Sequence, residues 1–92
     1  MSIVFEYDPD KSAMNLDKHG VDFEDAQEMW ERPVLTAPVQ SKGEPRFMVV
    51  GQIFGKYWTA IVTMRGAATR LISVRRSNSR ERSEYDRARN HL

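Results

Sequence analysis

The sequence predicts an α+β domain: an antiparallel sheet of three to four strands, two N-terminal helices and one C-terminal helix, with the helices packed on one meander. Three observations predict it. Residues 8–20 carry strong helix punctuation, Asp8-Pro9 at the start and Gly20 at the stop. Residues 46–54, 57–64 and 69–76 are rich in β-branched and aromatic side chains and are separated by short glycine turns. Asn78 with Glu81 three residues on then forms a capping-box pattern. Ninety-two residues, 40% hydrophobic and 29% charged, suit one domain over residues 1–92 with one compact core.

Residues 3–7, Ile-Val-Phe-Glu-Tyr, read as a first strand. Asp8 is an N-cap, and Pro9 has its φ preset for the first helical position. This helix should run to about His19, where Lys18 and His19 meet the negative dipole end and Gly20 supplies a left-handed cap. Asp22 restarts a helix with Glu24 and Asp25 at its positive end. Phe23, Ala26 and Trp30 give it an apolar face at i, i+3, i+7, and Pro33 ends it. Residues 34–39 form at most a short strand interrupted by Pro38, so the antiparallel sheet is expected to count three to four strands.

Gly55-Lys56 joins two good strands as a tight hairpin, and Gly66-Ala67-Ala68 turns into a third. On that third strand, strict alternation places Leu71, Ser73 and Arg75 on one face and Arg70, Ile72, Val74 and Arg76 on the other. The last helix should run to about Asn90. Its apolar stripe is only Tyr85, Ala88 and Leu92, so it is expected to dock weakly, either solvent-borne or turned toward another surface.

Charge is segregated along the chain. Residues 1–31 hold nine acids against Lys11 and Lys18, and residues 32–92 hold twelve bases against four acids, so a net of −7 faces a net of +8. Between Arg65 and Arg89 the chain has eight arginines and no lysine. Guanidinium is a permanently charged fork that pairs two-pronged with phosphate, whereas ammonium is a hydrated point charge. The pattern points to phosphodiester contact. The plainer alternative, arginines on solvated faces, remains open on spacing alone.

No cysteine is present, which excludes disulfides, thiolate zinc sites and a cysteine nucleophile. The N-terminus has no basic segment leading into a long apolar run, and residues 47–50 and 57–64 are too short to span a bilayer, so a soluble cytoplasmic protein is expected. Asp8 and Asp10 form an Asp-x-Asp pair, but capping explains Asp8 more simply, and neither a metal nor a cofactor is expected. No His-Glu-x-x-His, phosphate-binding glycine loop or nucleophile elbow occurs. His19 is the one imidazole expected within the folded body, His91 being penultimate, so it is the candidate acid or base near neutral pH. Arg65 ends one strand across the turn from the next, so Arg65 with Arg70 or Arg75 could meet one phosphate.

The chain resembles BrnT-type toxins over nearly its whole length. The likeness rests on Phe5-Glu6-Tyr7-Asp8-Pro9-x-Lys11 and Asn15-x-x-Lys18-His19-Gly20-Val21-x-Phe23-Glu24-x-Ala26. It continues through Arg46-Phe47 to Gly51, Arg65, Arg70-x-Ile72-Ser73-x-Arg75-Arg76 and Arg80-Glu81-Arg82-x-x-Tyr85. Ser77 departs from the pattern, where alanine is commoner. The resemblance implies a RelE-like fold and a ribonuclease toxin of a type II toxin–antitoxin pair. It implies neutralisation by a ribbon-helix-helix antitoxin, with operator DNA contacted only through the complex. It raises Lys18, His19, Arg65, Arg75 and Tyr85 as the candidate catalytic set, with Arg46, Arg70, Arg76, Arg80 and Arg82 as candidate RNA contacts.

RNA carries its own nucleophile, so the expected reaction needs no metal. The 2′-hydroxyl attacks phosphorus, expels the 5′-oxygen and leaves a 2′,3′-cyclic phosphate. The protein must position the backbone, stabilise the added charge and move protons. Arg65 and Arg75 are expected to hold the phosphate, His19 to act as acid or base with Lys18 beside it, and Tyr85 to stack or donate a proton. A non-catalytic nucleic-acid binder, or a subunit that recruits an acidic protein, would use the same arginines without proton transfer.

Overall fold

The computed structural model describes residues 2–90. Five strands, β1 (Val4–Glu6), β2 (Leu35–Val39), β3 (Arg46–Ile53), β4 (Lys56–Arg65) and β5 (Ala68–Arg76), form one sheet in the order β1-β5-β4-β3-β2. β2 to β5 are an antiparallel meander, while β1 joins the far edge parallel to β5. The sheet is therefore mixed and larger than the three to four antiparallel strands expected. Pro38 does not stop β2, because β2 is an edge strand and a missing N–H can point away from the ladder there.

Helix α1 (Pro9–His19) begins and ends as its sequence dictates. The Asp8 carboxylate accepts from the amides of Asp10 at 2.9 Å and Lys11 at 3.5 Å, and Gly20 caps the end with φ of 86°. The expected second α-helix is instead a 3₁₀ segment, Asp25–Glu31. Asp22 still accepts from the amide of Asp25 at 2.7 Å. The tighter winding brings Ala26 and Met29, three apart, onto the same side, and both are fully buried. Helix α2 (Ser79–Asn90) opens with the expected capping box: Asn78 accepts from Glu81 N at 2.8 Å, and Glu81 accepts from Asn78 N at 2.9 Å. Leu92, expected on its apolar stripe, and His91 lie outside the described residues.

One face of the sheet carries the core. Val49, Ile53, Trp58, Ala60, Val62, Leu71 and Val74 pack there against Val21, Phe23, Ala26 and Met29. Gly51 is closely packed on this face: a Cβ would stand 3.1 Å from Val34 and 3.3 Å from Met29, so a larger residue would push these neighbours by a few tenths of an ångström. Leu71 and Val74 both lie in the core, contrary to strict alternation, because the β4–β5 register slips beside Ile61 and Val62. Ile61 pairs with Ser73 and Val62 with Leu71, leaving Ile72 as the extra residue of a β-bulge. The bulge moves Arg70 onto the same side as Ser73 and Arg75.

Asn15 ties α1 to the sheet. Its side-chain amide donates to the carbonyls of Val74 at 2.9 Å and Val21 at 2.7 Å, and its oxygen accepts from Val74 N at 3.1 Å. It thus pairs with the edge of β5 as a strand residue would, beyond the point where β1 stops. No described helix is long and apolar enough to cross a membrane.

Candidate functional site

Residues paired across a sheet point to one side, so the register maps the face opposite the core. Its middle row runs Ala37, Met48, Ile61, Ser73, all half-buried with no helix on top. The row on one side is Val39, Arg46, Thr63, Arg70, and the row on the other is Leu35, Val50, Thr59, Arg75. Arg65 follows Arg70 diagonally, across from Ala68. Arg46, Arg65, Arg70 and Arg75 thus share one face.

Both ends of this face are walled. At the Arg75 end, α2 lies over Val50 and Thr59, both inaccessible to solvent. At the other end the β2–β3 connection folds in: Thr63 donates to the Pro45 carbonyl at 2.7 Å, and Arg65 reaches Glu44 at 3.3 Å. The result is a trough with an apolar floor and arginines along its sides. Arg65, Arg70 and Arg75 do not gather on one point. Roughly 3.3 Å per strand residue spreads Arg70 and Arg75 over on the order of 13–16 Å, a spacing for successive phosphates rather than one.

Each of these three arginines faces a different carboxylate. Arg65–Glu44 at 3.3 Å and Arg70–Glu6 at 3.4 Å are single, solvent-accessible contacts of the kind worth little in water. Arg75–Glu81 differs in kind, with both guanidinium Nη atoms donating to both carboxylate oxygens at 2.8 Å. Glu81 is 6% exposed and also accepts from Thr59 at 3.0 Å. Because the Thr59 proton goes to Glu81, the 2.7 Å contact between Thr59 and Ser77 must carry the serine proton. Arg75 hydrogen bonding, helped by Asn78 N and Thr59 against the opposing effect of burial, lowers the Glu81 carboxyl from 4.5 to about 2.

Lys18 and His19 lie in the last turn of α1, in a groove whose opposite wall is the β5 bulge at Ile72 and Ser73. Ser73 also ends the trough floor, so the trough leads toward the histidine. Other expected residues lie elsewhere. Arg76 is on the core face, its guanidinium 5.4 Å over the Trp58 ring and its Nε donating to the Tyr57 carbonyl. Arg80 pairs with Glu84 on the exposed side of α2, and Arg82 donates to the Ser77 carbonyl. Tyr85 is 1% exposed, packs edge-on against Tyr57, and donates to the Pro33 carbonyl at 2.8 Å. It therefore anchors α2 more firmly than the sparse apolar stripe suggested, and its hydroxyl proton is already committed.

Sequence reasoning passed over two organising residues. Glu81 shows in the sequence as a cap and a member of a motif, and nothing local tells that Arg75, on the preceding strand, turns back onto it. Asn15 stood in the sequence as part of a motif, but its 59-residue separation from Val74 hides the contact. Among the described residues, no three His, Cys, Asp or Glu side chains gather as metal ligands.

A family model described as ribonuclease toxin, BrnT, of type II toxin-antitoxin system matches residues 7–81. No curated protein matches the chain.

Proposed function

The chain belongs to the BrnT family of ribonuclease toxins of type II toxin–antitoxin systems, and from that premise we propose that it cleaves RNA along the arginine-walled trough, without a metal. The observation that carries the proposal is the trough itself, an uncovered apolar row flanked by Arg46, Arg70 and Arg75 and leading to Lys18 and His19. Unstacked bases can lie on Met48 and Ile61 while the backbone follows the guanidinium groups.

Arg65 and Arg70 hold the exposed, exchangeable ion pairs, so a phosphate displaces Glu44 and Glu6 at small cost. Arg75 is fixed by Glu81 and presents its remaining surface in a set orientation. In-line attack by the 2′-hydroxyl adds negative charge on phosphorus, and these cations stabilise it. His19 serves as the acid or base and Lys18 supports it electrostatically. Arg80 and Arg82 extend the positive field along α2. Tyr85 acts by holding α2, and through it Glu81, in place. A ribbon-helix-helix antitoxin neutralises the toxin in the cytoplasm by covering the trough, and operator DNA is reached through that complex.

The test is end-labelled RNA incubated with purified protein in EDTA. Discrete fragments ending in 2′,3′-cyclic phosphate, absent with Arg65→Ala, are expected. His19→Ala should leave weak residual cleavage, since acid–base help is worth roughly 10²–10⁴-fold. Full activity of His19→Ala beside a dead Arg65→Ala removes the histidine from proton transfer. RNA bound but left intact by the wild-type protein overturns the enzymatic reading.

A further inference from the structure

The groove between α1 and the β5 bulge holds about 530 Å³, within the size range of small-ligand clefts. Helical spacing explains one wall: Lys11, Met14 and Lys18 stand at i, i+3, i+7 and share a stripe. Asn15, beside them, turns inward to the β5 edge and holds the helix at this distance. The other wall is the residue that the bulge adds, Ile72, followed by Ser73. Without the extra residue that strand edge would run straight.

The electrostatics of this groove favour an anion. Arg65, Arg70 and Arg75 already face carboxylates, whereas among the described residues neither Lys11 nor Lys18 forms an ion pair. Asp17 is the one carboxylate lining the groove, so its balance stays positive even with His19 neutral. Met14, 68% exposed, is an apolar side chain on the same helical stripe as two cations that form no ion pair among the described residues. A net positive groove with two unpaired ammonium groups beside a thioether and an isoleucine fits one ligand chemistry well, an anionic backbone carrying a flat apolar ring.

We propose that this groove is a nucleotide subsite adjoining the reaction centre. The nucleotide next to the scissile phosphate leaves the trough past Ser73, its base rests between Met14 and Ile72, and its outer phosphate is held by Lys11. This deepens the ribonuclease reading and rests on it for the position of the scissile bond. It adds Lys11, Met14 and Ile72 to the binding machinery and gives the bulge a purpose.

The experiment is fluorescence anisotropy of a labelled single-stranded 2′-O-methyl oligoribonucleotide, which cannot supply the nucleophile, titrated at several salt concentrations. Lys11→Ala should weaken binding roughly three- to tenfold and reduce the slope of log K against log salt by about 0.7, the loss of one single-strand phosphate contact. Met14→Ala should weaken binding and leave the slope unchanged. Both side chains are exposed, so neither substitution threatens folding. Wild-type affinity and slope in Lys11→Ala overturn the subsite. A lowered slope with Met14→Ala neutral overturns the base-binding half. Because the probe cannot be cleaved, failure of the ribonuclease reading would show in the cleavage gel and leave this result to be judged separately.

Discussion

Glu81 accepts from Arg75, Thr59 and Asn78 N at once, so a single carboxylate caps a helix and orients a guanidinium. Glu81→Gln separates the two roles, because glutamine also serves in a capping box. It should cost about 1–3 kcal/mol, from the lost charge-assisted pair rather than from a lost helix start, read by urea denaturation. The pH dependence follows from the carboxyl being lowered from 4.5 to about 2. Between those values the unfolded chain binds the proton that the folded chain refuses. The contribution is therefore fully present above pH 4.5 and is lost as pH falls toward 2. Urea titrations at pH 7, 4.5 and 2.5 should show that loss in the wild type and a flatter profile in Glu81→Gln. Ser77, where the family resemblance leads one to expect alanine, donates into the same network and is buried, so its hydroxyl has a structural role here.

At the scale of elements, two attachments decide where the site residues stand. Asn15 spends three hydrogen bonds joining α1 to β5, and Asn15→Leu, close in size, orphans Val74 and Val21 groups. The expected loss is on the order of 2–4 kcal/mol by urea denaturation, with cleavage lost further as Lys18 and His19 shift. Helix α2 is fastened by Tyr85 and by the 2.6 Å bond from Tyr57 to Asp86, which raises the Tyr57 phenol. Tyr85→Phe keeps the ring and removes only the bond to Pro33. It should cost about 1 kcal/mol and retain RNA cleavage; a variant that folds normally yet cannot cleave would return the hydroxyl to the chemistry. Helix starts and stops were legible in advance because caps are local. The bulge was not, because it is a relation between two strands.

For the whole molecule, the sequential charge asymmetry becomes a spatial one. The acidic Asp25–Glu31 segment packs on the core face against β3, and the strand arginines at 46, 65, 70 and 75 stand on the other. On the proposed reading, the acids that do reach the arginine face, Glu44 and Glu6, compete with phosphate. Glu44→Gln should therefore raise RNA affinity several-fold at low salt by freeing Arg65, with the gain shrinking as salt screens it. An unchanged binding curve would show that Arg65 does not meet the backbone.

The sequence by itself determined the α+β class, the boundaries of α1, the capping box of α2, the hairpin of β3 and β4, and the supply of cations. All of these follow from local stereochemistry and composition. Tertiary structure alone decided the parallel docking of β1 on β5 in one five-stranded sheet, the 3₁₀ winding of Asp25–Glu31, and the slip at Ile72 that gathers Arg70 and Arg75 on one face. It also decided which arginines are locked and which are exchangeable. A strand partner, a register and an ion-pair partner are each chosen by residues remote in the chain, so their energies exist only once the sheet has formed.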